Sequence, residues 1–216
     1  MPGMRRRIAA TSCVMNVRSV LLLLVVLGVS ACSTVAPGQR PETPVLRGIS
    51  ADTEVREYEI RGYSARELRA QMNRLGPKDW SDARYAALTG WDVYWFIQFD
   101  RQTEVCGVES VTATLSVTMD LPRWANAESG TGSMKRRWQV FLDQLVWHEN
   151  IHREYGVRAA AEIEKQLAKL PAMDTCEALE QVANETGNAV VRKFHKQSTH
   201  YDVTTKHGAT QGAWLP

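Results

Sequence analysis

The chain has 216 residues, of which 44% are hydrophobic and 23% are charged, with a formal net charge of +2. This is an ordinary globular composition, so one folded domain is expected. The positive charge comes from residues 1–31, which hold four arginines and no acid, so the remainder carries 22 basic and 24 acidic residues, a net charge of −2. Charge therefore gives no indication of nucleic-acid binding.

The N-terminus has the organisation of an export signal. An unbroken apolar run, Val20 to Val29, follows the arginines; it is too short to span a bilayer and has the length of a signal-peptide core. The run ends in Val29-Ser30-Ala31-Cys32, which resembles the lipobox of bacterial lipoproteins. We predict that residues 1–31 are a lipoprotein signal peptide and that Cys32 is lipidated. The alternative is a plain secretion signal.

Residues 32–52 follow as a proline-rich tether, and the folded domain is expected over residues 53–216. Ser33, rather than an aspartate, comes after the lipidated cysteine. By analogy with bacterial lipoproteins this favours the outer membrane of a Gram-negative cell. We therefore expect a protein of the cell envelope, anchored by lipid and facing the periplasm.

The first half of the domain predicts three strands and one helix. Val55–Ile60 and the aromatic, β-branched Asp92–Phe99 are predicted strands. Ser64 begins a capping box that opens a helix to about Leu75. Val111–Met119 alternates strictly between apolar and polar residues, which indicates a half-buried strand. Leu121-Pro122 is expected to end it.

The second half predicts two helices. The first runs from about Lys135 to Leu170 and ends at Pro171. The second runs from about Cys176 to Lys196, and the residues after it show little periodic pattern. Strands followed by helices favour an α+β fold, with a small, mostly antiparallel sheet packed on the first of these helices.

Cysteine usage predicts one disulfide. Cys13 leaves with the signal peptide and Cys32 takes the lipid, which leaves Cys106 and Cys176. An even pair in an oxidising compartment is expected to be bonded. Two free thiols are the alternative.

The segment His148-Glu149-Asn150-Ile151-His152 lies within the first long helix. Histidines four residues apart share one helix face and can bind one metal ion. In zinc hydrolases with this pattern the glutamate takes a proton from a zinc-bound water and delivers it to the leaving amine, so Glu149 is the candidate catalytic residue and Zn²⁺ the expected cofactor. A structural helix with two core histidines is the alternative.

Both histidines fall on the stripe of this helix that is predicted to face the interior. The stripe consists of Phe141, Leu145, His148, His152, Tyr155 and Ala159. A partly buried pair suits a zinc site, whereas a solvated pair does not.

The third metal ligand is less clear from the sequence. The metzincin extension needs glycine at position 155 and histidine at position 158, where this chain has Tyr155 and Arg158, so that class is excluded. A ligand on the next helix is the arrangement of another zinc-protease class. Its candidates would be Glu177, Glu180 and Glu185, which are ordinary surface residues by default.

The C-terminal segment offers other ligands. It places two histidines, a tyrosine and an acid in the short stretch His200–Gly208, a composition that packing does not require. His207 is the preferred third ligand. Asp202 is the alternative ligand, or an outer carboxylate that orients a histidine. Tyr201 is a candidate donor to the oxyanion of a tetrahedral intermediate. A solvated tail is the remaining alternative.

Short segments in a fixed order resemble a bacterial family of uncharacterised domains described as predicted secreted zinc-dependent proteases, over about Tyr58 to Trp214. The segments are Tyr58-Glu59-Ile60-Arg61-Gly62-Tyr63-Ser64, Glu67-Leu68-Arg69 with Met72-Asn73, Gly76-Pro77, Trp91-Asp92-Val93 with Trp95, Cys106, Leu121-Pro122-Arg123-Trp124, the HExxH segment, Cys176, Tyr201-Asp202 with Thr204 or Thr205, His207-Gly208, and Gln211 with Trp214. The resemblance implies a zincin-like domain with His148 and His152 as ligands and Glu149 as catalyst. It also implies that Tyr201, Asp202 and His207 form a second signature.

Three functions follow. The first is a zinc-dependent metallopeptidase of the cell envelope that cleaves a peptide or protein, with the alternating strand Val111–Met119 pairing with an extended substrate. The second is a non-catalytic zinc-binding lipoprotein with an assembly or binding role. The third is a zinc amidase acting on cell-wall peptide crosslinks.

Overall fold

A computed structural model describes residues 49–101 and 104–216 of the protein. The elements, in chain order, are β1 (Ser50–Ile60), α1 (Ala65–Leu75), β2 (Leu88–Asp100), β3 (Gly107–Trp124), α2 (Gly132–Leu167) and α3 (Cys176–Thr205), with short 3-10 turns at Ala127–Ser129 and Ala209–Gln211. The predicted signal peptide, Cys32 and most of the tether lie outside the described residues. Within the part that is described, no helix is both long and apolar enough to cross a membrane.

The three predicted strands form one sheet with the order β1-β3-β2. β2 pairs antiparallel with β3, whereas β1 pairs with it in parallel. The predicted α+β class is confirmed, and the sheet is mixed rather than mostly antiparallel. β1 begins at Ser50, slightly before the predicted start of the domain at residue 53. The central position of β3 means that both of its edges are paired along much of its length.

β3 continues through Pro122, where the sequence predicted its end. The antiparallel pairing with β2 extends only to Asp120. Beyond that residue β3 has β1 as its one neighbour in the described sheet, with Tyr58 opposite Pro122. A strand with an open edge tolerates a residue that has no backbone N–H, so the proline does not stop it.

Helix α1 has the predicted bounds. The Ser64 side chain accepts a hydrogen bond from the backbone N–H of Glu67 at 3.3 Å, and the Glu67 carboxylate accepts one from the N–H of Tyr63 at 2.7 Å. Gly76 ends the helix where a Cβ atom would lie 2.0 Å from the carbonyl oxygen of Tyr85. Only glycine fits that close approach.

Helices α2 and α3 cover one face of the sheet. The apolar row of β3 is buried against them, as the alternation predicted, and consists of Ala113, Leu115, Val117 and Met119. Gly156 of α2 packs against Leu115, and Gly187 of α3 packs against Trp95, where in each case an added Cβ would come within 2.8 Å of the neighbour. These glycines let both helices approach the sheet closely.

Helix α3 extends to Thr205, well past its predicted end near Lys196. Its buried face changes character there: Phe194 is followed by buried Ser198 and Thr205. A helix that buries polar residues gives no apolar periodicity, which is why the sequence did not reveal these turns. Asp202 therefore lies on a helix and not in an irregular tail.

Cys106 and Cys176 form the predicted disulfide. The bond joins the start of the β3 region to the first residue of α3, and the backbone of Cys106 also pairs with Met173. One covalent bond and one pair of backbone hydrogen bonds thus fix the N-terminal end of α3 against the sheet.

Candidate metal centre

Helix α2 brings His148 and His152 together in the interior. They are 2% and 5% exposed, in agreement with the predicted stripe. Their Nε2 atoms lie 3.2 Å apart. Two ring nitrogens at this distance point at a common centre.

Asp202 completes a group of three on the described part of the chain. Its Oδ1 atom lies 3.1 Å from Nε2 of His148 and 3.0 Å from Nε2 of His152. Zinc binds nitrogen and oxygen at about 2.1 Å, which in tetrahedral geometry separates its ligands by about 3.4 Å. The three atoms therefore have close to the spacing that one such ion requires.

The far side of each imidazole is held by a partner. His148 Nδ1 lies 2.9 Å from Oε1 of Gln211, and His152 Nδ1 lies 2.7 Å from the hydroxyl of Ser198. Tyr201 also donates to the Gln211 oxygen, at 3.0 Å. Because that oxygen accepts, Nδ1 of His148 carries the proton in the neutral ring and Nε2 presents its lone pair towards Asp202. A cation between the ring and the carboxylate stabilises that arrangement.

The ionisation of the group depends on these contacts. Burial alone would raise the pKa of Asp202, but hydrogen bonds with His148 and His152 hold it well below its usual range. Burial opposes protonation of His148, yet its hydrogen bonds with Asp202 and Gln211 raise its pKa overall. Protonation of the imidazole places a positive charge where a metal ion would lie. A metal ion would therefore have to displace that proton in order to bind.

Glu149 lies on the same helix and is 4% exposed. The hydroxyl of Thr89, in β2, donates to its Oε2 atom at 2.7 Å. Burial raises the pKa of Glu149, against smaller opposing effects of His152 and Thr89. A raised pKa makes a carboxylate a stronger base, as proton transfer near neutral pH requires.

His207, the preferred third ligand in the sequence, is beside the group of three rather than in it. Its Nδ1 atom lies 3.5 Å from Asp202 Oδ1, and its side chain is 52% exposed. Asp202, the second choice, supplies the converging oxygen. The three exposed glutamates of α3 that the sequence also offered, at positions 177, 180 and 185, are outside the group.

A left-handed turn places His207. Lys206 and His207 have φ values of 52° and 51°, and Gly208 has 79°. The non-glycine positions store strain, which local structures tolerate mainly where it serves a site. At Gly208 an added Cβ would lie 3.0 Å from Cγ of His148. The turn thus carries the chain directly against the ring of His148 and on to Gln211.

Tyr201 supports His148 from behind. The two rings stack with centroids 4.8 Å apart and an angle of 18°. Its hydroxyl is engaged by Gln211, and it is not among the described residues that line the pocket over the metal centre. These contacts show Tyr201 holding Gln211 and the ring of His148 in position. Its predicted role as an oxyanion donor stays a prediction.

The pocket over the centre has a volume of about 470 Å³. Its lining residues are Asp79, Trp80, Tyr85, Ala86, Ala87, Leu88, Thr89, Gly90, Trp91, Leu145, His148, Glu149, His152, His195, Ser198, Thr199, Asp202, Val203 and His207. His195 lies flat on Trp91, with ring centroids 3.9 Å apart. The pocket therefore joins the group of three, Glu149 and the beginning of β2.

Sequence reasoning did not assign roles to four residues of the site: Thr89, His195, Ser198 and Gln211. Gln211 was among the segments that carried the family resemblance, which was the signal for it. Thr89 and Ser198 each make one hydrogen bond to a residue distant in sequence. No pattern in the neighbouring sequence predicts such a contact.

Comparison with known proteins places the chain in a family. Residues 55–208 match the family described as bacterial protein of unknown function (DUF922), and the chain belongs to it. No curated protein and no solved structure matches the chain. The description of the family names no activity, so the protease activity implied by the resemblance stays a prediction.

Proposed function

We propose that the protein is a zinc-dependent metallopeptidase of the bacterial cell envelope. The observation that carries the proposal is the convergence of His148, His152 and Asp202 in one pocket with the buried carboxylate of Glu149. Catalytic zinc sites have three protein ligands and leave a position for water or substrate, whereas structural sites have four. Among the described residues the group has three members, which favours catalysis over the non-catalytic alternative.

The chemistry follows from the groups in the pocket. His148, His152 and Asp202 would hold the zinc, which when bound makes water more acidic and polarises a carbonyl group. Glu149 takes a proton from the attacking water on its carboxylate and passes it to the nitrogen of the leaving amine. Thr89 holds that carboxylate in a fixed orientation through its 2.7 Å hydrogen bond.

The substrate would pair with β2 and not with β3. β3 is the central strand, so its predicted pairing with a substrate is wrong over the length at which β1 and β2 both flank it. In the described sheet β2 has one open edge, and its first residues, Leu88–Gly90, line the pocket. An extended peptide can add to such an edge through backbone hydrogen bonds. An added Cβ at Gly90 would meet nothing within 4 Å, so the sheet face beside this residue is open.

The test compares the wild-type protein with Glu149→Gln. Zinc content is measured by elemental analysis, and hydrolysis is measured on unfolded polypeptides and on cell-wall crosslinking peptides. We expect both proteins to bind one zinc ion per chain, and the variant to hydrolyse its substrate about 10²- to 10⁴-fold more slowly.

The two substrate classes separate a peptidase from a zinc amidase. A zinc-loaded wild-type protein that hydrolyses neither class would contradict the proposal and favour a binding or assembly role. Equal rates for wild type and Glu149→Gln would contradict the role of the carboxylate.

A further inference from the structure

Trp80 stands out among the tryptophans of the chain because it is 98% exposed. It belongs to the segment between α1 and β2, and it lines the pocket that contains His148 and Glu149. Single exposed apolar residues are common on protein surfaces and need no explanation by themselves. The position of this one at a candidate active site calls for one.

The loop around Trp80 is held by a carboxylate. Oδ1 of Asp79 accepts hydrogen bonds from the backbone N–H and hydroxyl of Ser81, at 2.9 and 2.7 Å, and from the N–H of Ala83, at 3.1 Å. Its Oδ2 atom accepts one from the hydroxyl of Tyr85 at 3.2 Å. Asp82 adopts a left-handed φ of 68°, which closes the turn. The loop is thus ordered by its own hydrogen bonds, while the indole ring lies exposed at the mouth of the pocket.

Helix α3 contributes a second exposed apolar side chain to the pocket. Val203 is 67% exposed and lines the pocket one residue after Asp202. It continues a row, at helical spacing, that begins with His195 and Thr199, both of which also line the pocket. Two elements distant in sequence therefore each present an exposed apolar side chain to one cavity.

We propose that Trp80 and Val203 form a subsite that binds an apolar side chain of the substrate close to the cleaved bond. This inference rests on the proposed function and specifies its substrate class: extended peptide segments with an aromatic or large aliphatic residue. The indole ring offers a large apolar area, and an ordered loop loses little conformational freedom when that area is covered. Val203 and Asp202 line the same pocket, which keeps the bound side chain near the candidate metal centre.

The test measures binding separately from catalysis. Zinc-loaded full-length Glu149→Gln protein is titrated with two fluorescent peptide libraries of equal length, one with phenylalanine or leucine and one with serine at a fixed central position. Binding is followed by fluorescence anisotropy. We expect tighter binding of the apolar library, a loss of at least about tenfold on adding Trp80→Ala, and a smaller loss on adding Val203→Ser. Binding of the serine library should change little.

Trp214→Ala is the matched control. Trp214 is 57% exposed, contacts Arg69 through a cation–π interaction, and is not among the described lining residues of the pocket. Its replacement should leave both titrations unchanged.

Equal binding of the two libraries, or an apolar preference that survives Trp80→Ala, would overturn the subsite while leaving the metallopeptidase proposal intact if the wild-type protein still cleaves peptides. A protein that binds no zinc would overturn both proposals, and the zinc measurement identifies that case before any titration.

Discussion

Helix α2 and the end of helix α3 contribute to the metal centre in different ways. α2 supplies His148, His152 and Glu149 from a buried face that is mostly apolar, with Glu154 as a further buried acid, so its position follows from core packing. The last turns of α3 and the turn beyond them supply one candidate ligand, Asp202, together with the partners of both imidazoles, Ser198 and Gln211. The difference separates two tasks: α2 provides most of the chemical groups, and the α3 end adds Asp202 and holds both imidazole rings in orientation.

The largest effect on zinc binding should come from replacing each of the two candidate third ligands, Asp202 and His207, by alanine in turn. We expect Asp202→Ala to lose zinc at stoichiometric loading, because it removes the only carboxylate oxygen of the described group of three. His207→Ala should retain zinc, because its ring is half exposed and lies outside that group. Isothermal titration of zinc into metal-free protein measures both. Loss of zinc in His207→Ala with retention in Asp202→Ala would assign the site to His207, as the sequence first suggested.

A smaller effect is expected from the orienting residues. Ser198→Ala and Gln211→Ala each remove the partner of one ligand ring, and outer contacts of this kind change metal affinity by about 10- to 100-fold. Competition against a chelator of known affinity measures the change. Gln181→Ala is the control, since Gln181 lies on α3, as Ser198 does, and its side-chain amide donates to the exposed Glu185. If the Gln211 and Gln181 variants bind zinc equally well, the α3 end does not orient the site.

The smallest effect on zinc binding is expected from a change in the turn that leads to Gln211. Gly208→Ala places a Cβ in a left-handed conformation and 3.0 Å from the ring of His148. We expect a loss of about 1–3 kcal/mol in the free energy of unfolding and weaker zinc binding, because the ring must move. Urea denaturation measures the first. Gly132→Ala serves as the control, because its added Cβ would be at ordinary contact distance, 3.5 Å from Arg136. Equal stabilities would show that the turn relaxes without disturbing the histidine.

The part of the site that the sequence could predict is the part on α2, and the part that it could not predict is at the end of α3. Apolar periodicity located α2 and placed its histidines inward, and alternation located β3. These patterns repeat along one element, so they are visible locally. The predicted inward placement of His148 and His152 was therefore confirmed, while the catalytic role of the neighbouring Glu149 stays a prediction.

The α3 half could not be predicted in the same way. Its buried face is polar where it meets the histidines, so Ser198, Asp202 and Thr205 read as an irregular tail. The choice between Asp202 and His207 depends on their direction relative to another helix, which spacing along the chain does not contain. The parallel pairing of β1 was missed for a similar reason, since strand direction is decided by the connection and not by the strand.

The hydrogen bond from Thr89 to Glu149 has a consequence for mechanical tolerance. It joins an edge strand to a helix that otherwise meets it through side-chain packing. The bond makes the position of the carboxylate depend directly on the position of that strand. In the proposed peptidase, the alignment of Glu149 with a peptide paired along β2 would therefore rest on this one hydrogen bond.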